Sequence, residues 1–179
     1  LANALLPVMD ENTIRNSLQR YESAYNERFL QNMRDKLGLA QEDEGDLGLI
    51  MDTFSMLNKQ HTDYTAFFRA LSNLYAQGHA PVRDLFGKRE NADEWLARDE
   101  GRLKKETRAH DEREYEMRRV NPKYILRNYL AHKVILEAQN GDFEPMKELI
   151  KVLERPYDEQ SEHEHYAALP PDWGKHMNI

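Results

Sequence analysis

Residues 10–38, with the sequence DENTIRNSLQRYESAYNERFLQNMRDKLG, carry one continuous helical pattern. Large apolar residues recur there at steps of three and four: Ile14, Leu18, Tyr21, Tyr25, Phe29, Met33 and Leu37. Asp10 is suited to cap the free amides of a first helical turn, and Gly38 to adopt the left-handed conformation that ends a helix. The stretch therefore predicts a single long amphipathic helix.

The next forty residues repeat this pattern in shorter segments. Residues 41–46 are acidic and predict a loop. The spacing of Leu47, Ile50, Phe54 and Leu57 predicts a second helix. A third helix should begin after a cap at Thr62 or Asp63, end at Gly78 and bury Tyr64, Phe67, Phe68, Leu71 and Leu74. Aromatic residues at this spacing form a core far more often than a cofactor pocket.

Turn and cap signals follow Gly78. Pro81 predicts a brief turn or a single helical turn through Phe86. Asn91 and Glu94 have the spacing of a capping box and predict a helix start ahead of Trp95.

Residues 98–119 are strongly polar, with 15 charged residues of both signs. Opposite charges lie four residues apart in the pairs Arg102–Glu106 and Arg108–Glu112, which favours a helix. We expect one long, exposed helix here, and a disordered linker is the alternative interpretation.

Residues 121–154 predict a pair of helices. Asn121 and Pro122 are suited to the cap and the first position of a helix. Gly141 should end that helix, and Asp142 should cap the next, which runs to about Glu154. So short a turn predicts antiparallel packing. The first helix should be the best buried of the chain, through Tyr124, Ile125, Leu126, Tyr129, Leu130, Val134, Ile135 and Ala138.

These elements predict an all-α fold, since no alternating strand pattern persists. We divide the chain into a helical segment 1–90, a segment 91–155 with the charged helix and the helix pair, and an irregular tail 156–179. The tail is expected to dock through Tyr166 and Trp173. The apolar residues 1–9 are predicted to end a buried helix that begins in preceding sequence.

The composition opposes several functional classes. A formal net charge of −7 argues against general binding to phosphate polyanions, so we expect no nucleic-acid partner. No segment approaches the roughly 20 apolar residues of a membrane span, and no secretory signal is recognisable. The 179 residues contain no cysteine, which excludes disulfides and cysteine-ligated zinc within them. We expect a cytoplasmic protein with no membrane partner.

The sequence shows no complete active site. No Gly-rich loop precedes a helix, and no Gly-x-Ser-x-Gly motif occurs. We therefore predict no catalytic, cofactor-binding or metal-binding residues in this chain. One cluster, Glu162-His163-Glu164-His165, could place two imidazoles on the same side of an extended chain. A metal site would need further rigid ligands, so a solvated charge run is the favoured interpretation.

Several separated blocks resemble one known family. The strongest is NPKYILRNYLA at 121–131, followed by GDF at 141–143, RPYDEQ at 155–160 and YAALPPDW at 166–173. Earlier blocks are MRDKLGL at 33–39 and DYTAFFR at 63–69, and LANALLP at 1–7 is similar to the segment just after the family's metal-binding motif. Together they closely resemble the C-terminal part of the selenoprotein O (SelO, or YdiU) family.

The resemblance implies an atypical protein-kinase-like fold that transfers AMP from ATP to protein hydroxyls, with magnesium as the metal. It also implies that the ATP-binding lysine and the catalytic and metal-binding residues precede Leu1. None of them can be assigned here, and the expected partners are that preceding catalytic portion and the enzyme's protein substrates. The family's short terminal redox motif would follow residues like His176 to Ile179.

Two further interpretations stay open from the residues. The chain could be an independent helical interaction module, or a small metal-binding domain that uses residues 162–165. Within the block 121–131, Arg127 or Asn128 would face the catalytic portion if the block is functional. If it is structural, Asn121 is a cap and Tyr124 part of a buried helix.

Overall fold

A computed structural model of the chain describes residues 2–174, and the side chains of residues 3–174. Its α-helices are α1 (Ala2–Leu5), α2 (Glu11–Leu37), α3 (Asp46–Gln60), α4 (Tyr64–Leu71), α5 (Leu74–Gln77), α6 (Ala80–Arg83), α7 (Glu90–Leu103), α8 (His110–Val120), α9 (Asn128–Gln139) and α10 (Glu144–Glu154). Two 3-10 segments follow, Ser161–Ala167 and Asp172–Gly174. No strand occurs within residues 2–174, which confirms the all-α prediction.

The long helix α2 has the predicted ends. The Asp10 carboxylate accepts a hydrogen bond from the Thr13 amide at 2.9 Å, and Gly38 is left-handed with φ of 71°. The burial of its stripe differs from the expectation, because Leu18, Tyr21 and Tyr25 are exposed. Only the last turns of α2 enter the main hydrophobic core, which lies among α2 to α8.

The main core is centred on the aromatic side chains of α4. Phe67 and Phe68 are fully buried, and the Phe67 ring meets Trp95 edge-on at a centroid distance of 5.2 Å. Trp95 in turn donates a hydrogen bond of 2.9 Å to the buried Thr53 hydroxyl. This contact joins α7 to α3. The predicted role of the aromatic stripe as core is confirmed for these residues.

The predicted third helix is interrupted. The chain leaves helical geometry after Leu71 and resumes at Leu74, and Gly78 ends the second piece as predicted. Ser72 lies at the break, fully buried, and its hydroxyl donates to the Phe68 carbonyl at 2.7 Å. A hydroxyl bonded to the backbone four residues earlier competes with the helical ladder at this point.

The prediction of one long exposed helix over residues 98–119 is wrong. Helix α7 ends at Leu103, α8 begins at His110, and the linking residues are not helical. Four charged side chains of this stretch are buried: Asp99, Arg102, Arg113 and Glu114. Opposite charges three or four residues apart indicate a helix, but they do not show whether each charged side chain pairs along that helix or with another part of the fold. Here several of the charged side chains pair with other parts of the fold.

The predicted capping box at Asn91 is also wrong. Helix α7 already includes Glu90, and the Asn91 side chain donates to the Gln60 side chain at 2.7 Å instead of capping the backbone. A long-range side-chain partner has replaced the local one.

The predicted helix start at Asn121 and Pro122 is wrong as well. Residues 121–127 are extended or bent, and α9 begins only at Asn128. The amides of Lys123 and Tyr124 donate to the Pro156 carbonyl at 2.7 and 3.1 Å. These two hydrogen bonds hold residues 121–127 against the end of α10. Tyr124 therefore enters the hydrophobic core from a loop and not from a helix.

Helices α9 and α10 form the predicted hairpin. Gly141 has φ of 89° in the turn, and the Asp142 carboxylate accepts from the Glu144 amide at 3.0 Å. A second, smaller core, the hairpin core, lies between them: Tyr124, Tyr129, Leu130, Val134, Leu149, Val152 and Tyr166. Tyr166 thus docks as predicted, whereas Trp173 is 56% exposed and meets only the edge of this core at Tyr129.

Candidate functional site

The block 121–131, which carries the strongest resemblance, begins at the junction of the two cores. Asn121 is fully buried. Its amide nitrogen donates to the Lys36 carbonyl at 2.9 Å and to the Ser72 hydroxyl at 3.0 Å, and its Oδ1 accepts from the Lys36 ammonium at 3.2 Å. One side chain therefore ties α2 and the α4–α5 break to the loop that leads into the hairpin.

Lys36 completes this junction from the α2 side. Its ammonium lies 5.6 Å from the centroid of the Tyr64 ring and 5.4 Å from that of Phe68. Burial lowers the pKa of Lys36. The ring faces, the Asn121 oxygen and the Val120 carbonyl, which accepts from the ammonium at 3.3 Å, compensate for its lost hydration.

Arg127 pairs with Asp63 across the junction. Its two terminal nitrogens lie 2.5 and 3.1 Å from the two carboxylate oxygens of Asp63. Asp63 also caps α4, accepting from the Ala66 amide at 2.8 Å. Burial alone would raise the pKa of Asp63, but the bonds from Arg127 and Ala66 outweigh it and hold the pKa below its usual value. Within this chain, Arg127 binds the body of the fold.

The tail is fastened to the same region by charge and by buried polar groups. Glu159 accepts hydrogen bonds from Arg69 and from Lys123, and Lys123 also pairs with Glu164. The Gln160 side chain, 4% exposed, donates to two carbonyls at the end of α10. The Tyr124 hydroxyl donates to the Gln160 carbonyl at 2.9 Å. These bonds link the block 121–131 to the block 155–160.

A buried ion cluster is centred on Asp46. Asp46, predicted in a loop, is instead the first residue of α3 and is 1% exposed. Its carboxylate accepts from Arg102 at 2.6 Å and from Arg34 at 3.0 Å. Burial would raise the pKa of Asp46, and these guanidinium groups lower it more strongly. The cluster joins α2, α3 and α7.

Asp99 is a second buried acid, with a weaker partner. It is fully buried, and Arg113 approaches one of its oxygens only to 3.8 Å. Neither oxygen accepts a hydrogen bond from the described residues. Burial raises the pKa of Asp99 to about 6. Such a group titrates near neutral pH, and its carboxylate form is costly to keep buried.

A row of aromatic rings runs from the solvent into the main core. The centroids of Tyr21 and Tyr25 are 6.2 Å apart, those of Tyr25 and Phe29 6.4 Å, and those of Phe29 and Phe54 6.1 Å. The row continues through Tyr64 to the buried Phe68. Tyr21 and Tyr25 are 69% and 57% exposed. We call the six residues the aromatic row.

A cavity of about 740 Å³ opens beside the inner half of this row. Its lining includes Phe54, Leu57, Tyr64, Leu85, Leu169 and Pro170. At the other end, residues 3–9 are all exposed, including Leu5, Leu6, Val8 and Met9. The prediction that these residues end a buried helix remains a prediction.

The histidine cluster has no metal-site geometry. Residues 161–167 form a bent 3-10 segment instead of the extended chain considered above, and the ring centroids of His163 and His165 lie 6.5 Å apart. His163 Nδ1 lies 3.1 Å from Glu148, and the His165 ring packs on Tyr166 at 4.0 Å. Among residues 2–174, no group of three or more His, Asp or Glu side chains is arranged to hold a metal ion.

Comparison with known proteins agrees with the blocks. The family described as protein adenylyltransferase SelO matches residues 1–154. The chain belongs to the SelO family. Similar relatives carry the name protein nucleotidyltransferase YdiU: one from Vibrio vulnificus strain YJ016 is 48% identical over 185 residues, and one from Myxococcus xanthus strain DK1622 is 42% identical over 182 residues.

The SelO-family relatives are much longer than this chain. Each alignment covers 100% of the chain but only 38% of the Vibrio protein and 37% of the Myxococcus protein. The aligned part is the C-terminal part of those relatives. No helix within residues 2–174 combines the length and the apolarity needed to cross a bilayer.

Sequence reasoning missed the buried pairings that define this SelO-family region. Asp63 was recognised as a cap, but its partner Arg127 lies 64 residues later. Arg102 was assigned to Glu106, and that pair exists at 2.8 Å, yet its bond to Asp46 was not foreseen. The sequence offered one hint of these buried pairs, because the highly charged residues 98–119 also contain the large apolar residues Leu103 and Met117.

Proposed function

We propose that this chain is the C-terminal helical region of a SelO-type protein adenylyltransferase and that it supports a catalytic portion which precedes it. The observation that carries the proposal is the family match over residues 1–154 together with the alignment to the C-terminal part of longer nucleotidyltransferases. In the proposed reaction, a Ser, Thr or Tyr hydroxyl oxygen of a protein substrate forms a bond to the α-phosphorus of ATP. The bond to pyrophosphate breaks, and the hydroxyl proton is released.

The groups that would hold ATP and Mg²⁺ belong, in this proposal, to the preceding polypeptide and its kinase-like fold. Support comes from the residues themselves, because no Gly-rich loop precedes a helix in the sequence. The buried carboxylate of Asp46 and the half-buried carboxylate of Asp63 are also occupied by arginine partners, so they are poorly suited to bind a metal. We derive no catalytic step from residues of this chain.

The supporting role follows from how the region is bound together. Nucleotidyl transfer depends on donors and metal ligands held in fixed positions around the phosphates. The junction at Asn121, the Arg127–Asp63 pair and the ion cluster at Asp46 each link segments that are distant in sequence. A helical region whose distant segments are joined in this way is suited to hold an adjoining catalytic site in a fixed position.

The test is transfer of a label from ATP to protein. Full-length protein with Mg²⁺ and ATP labelled at the α-phosphate should label protein substrates, whereas ATP labelled at the γ-phosphate should not. The chain 1–179 alone should label nothing and should show no stoichiometric ATP binding. Efficient labelling by the chain alone, or γ-label transfer by the full-length protein, would contradict the proposal. A cytoplasmic location belongs to the same proposal, and fractionation of cells expressing the full-length protein tests it.

A further inference from the structure

The outer half of α2 and the segment before it carry seven exposed large apolar residues, of which Leu18, Tyr21 and Tyr25 recur at steps of three and four along one side of the helix. The exposed residues are Leu5, Leu6, Val8, Met9, Leu18, Tyr21 and Tyr25. Single exposed apolar residues are normal on any protein, but a contiguous stripe of them marks an interaction surface. We call this stripe the outer face.

The outer face continues directly into the main core. Tyr25 stacks on Phe29, which is half-buried, and Phe29 stacks on Phe54, which lines the large cavity. The row therefore runs from Tyr21 and Tyr25, which are mostly exposed, to Phe68, which is 1% exposed. Apolar residues repeat with the helical period along the whole of α2, so the apolar face of this helix is expected to be buried along its whole length.

Another exposed tyrosine on the same chain shows the contrast. Tyr115 on α8 is 56% exposed, close to the value for Tyr25. The Arg119 guanidinium lies 5.7 Å from its ring centroid. Tyr115 is thus an isolated ring on a polar helix, whereas Tyr21 and Tyr25 are parts of a stripe.

The position of the outer face indicates its occupant. The face begins within a few residues of position 1, so polypeptide that precedes Leu1 would emerge beside it. The relatives carry more than half of their length outside the aligned C-terminal part. A covalently attached segment has an effective concentration in the millimolar range, which favours it over a second copy of the chain.

We propose that the outer face, from Leu5 to Tyr25, is covered by the polypeptide that precedes Leu1 in the full-length protein. The contact is apolar and intramolecular, and it completes the aromatic row as one continuous core between the two portions. The inference rests on the proposed function insofar as that function assigns a preceding catalytic portion to this chain.

Site-specific photo-cross-linking in the full-length protein tests the contact. A p-benzoylphenylalanine at position 21 should cross-link to peptides that precede Leu1, as identified by mass spectrometry. The same group at position 115 is the matched control and should give no such product. The inference is overturned if position 21 forms cross-links only to a second molecule, or forms no more upstream product than position 115.

A stability measurement on the full-length protein provides an independent readout. The variant Tyr21→Ser/Tyr25→Ser should unfold at a lower temperature than the wild type, and Tyr115→Ser should not. An unchanged melting temperature for the double variant would contradict the inference. Neither experiment uses AMP transfer. The two experiments therefore distinguish a failure of the proposed contact from a failure of the proposed AMP-transfer activity.

Discussion

The guanidinium of Arg127 forms two hydrogen bonds to the carboxylate of Asp63, with nitrogen–oxygen distances of 2.5 and 3.1 Å. The two residues are 64 positions apart, and each lies in a block that resembles the SelO family. Asp63 caps α4, whose aromatic side chains lie in the main core. Arg127 directly precedes α9, whose apolar side chains lie in the hairpin core. This pair is therefore a direct link between the two cores.

Replacing Arg127 by Met should lower the free energy of unfolding by about 3 kcal/mol, because it leaves a half-buried carboxylate without its partner. Chemical denaturation of the purified protein at neutral pH measures the change. Lys147→Met is the control, since that exposed lysine pairs with Glu144 at the surface and its loss should change the stability far less. Equal effects of the two substitutions would rule out a special role for the Arg127–Asp63 pair.

The same pair predicts a dependence on acid. The pKa of Asp63 is lowered in the folded state, so its contribution is fully present above the unfolded value of 3.8. That contribution is lost as the pH falls through the folded-state pKa. The stability difference between wild type and Arg127→Met should therefore shrink at acidic pH. A difference that stays constant between pH 7 and pH 3 would contradict this assignment.

Asp99 should show the opposite pH dependence. Burial raises its pKa from 3.8 to about 6, so between these values the folded state binds more protons than the unfolded state. Its contribution to stability then falls as the pH rises. Relative to Asp99→Asn, which does not titrate, the wild type should lose about 1 kcal/mol between pH 5 and pH 7. Parallel stability curves for the two proteins over this range would show that Asp99 does not titrate there.

Asn121→Ala should destabilise the protein by about 2–4 kcal/mol, since it removes hydrogen bonds to the Lys36 carbonyl, the Lys36 ammonium and the buried Ser72 hydroxyl. Ser72→Ala removes a single hydroxyl from the same junction and should cost about 1 kcal/mol. The two values come from denaturant titration of matched samples. A smaller loss for Asn121→Ala than for Ser72→Ala would argue against Asn121 as the central group.

Gly38→Ala and Gly48→Ala should act in opposite directions. Gly38 has φ of 71°, and a Cβ there would lie 2.6 Å from both Arg113 Nε and Met117 Sδ, so we expect a loss of at least about 1 kcal/mol. Gly48 lies inside α3, and a Cβ there would meet nothing within 4 Å. Its replacement should stabilise by about 0.5–1 kcal/mol. Thermal unfolding of both variants measures the effects, and a stable Gly38→Ala would refute the close approach of α8.

The outcome for individual residues shows which signals were reliable. Asp10, Gly38, Asp63 and Gly141 were predicted as helix caps or stops, and each has that role in the structure. Asn121 and Asn91 were predicted as caps by the same reasoning, and both instead bind partners far along the chain. A cap signal depends on a few neighbouring residues, so it fails where a distant group takes the side chain away from the backbone, as at Asn91 and Asn121.

The sequence by itself determined the helical class, the ends of α2 and the α9–α10 hairpin, because periodicity, caps and left-handed glycines act within one or two turns. Its separated blocks also determined membership of the SelO family. Only the tertiary structure decided that Asp46, Asp99, Arg102 and Arg113 are buried, that residues 121–127 are a loop, and that the outer half of α2 is uncovered. The reason is physical: whether a charge is paired or an apolar stripe is covered depends on groups tens of residues away. Those groups approach only when the chain folds.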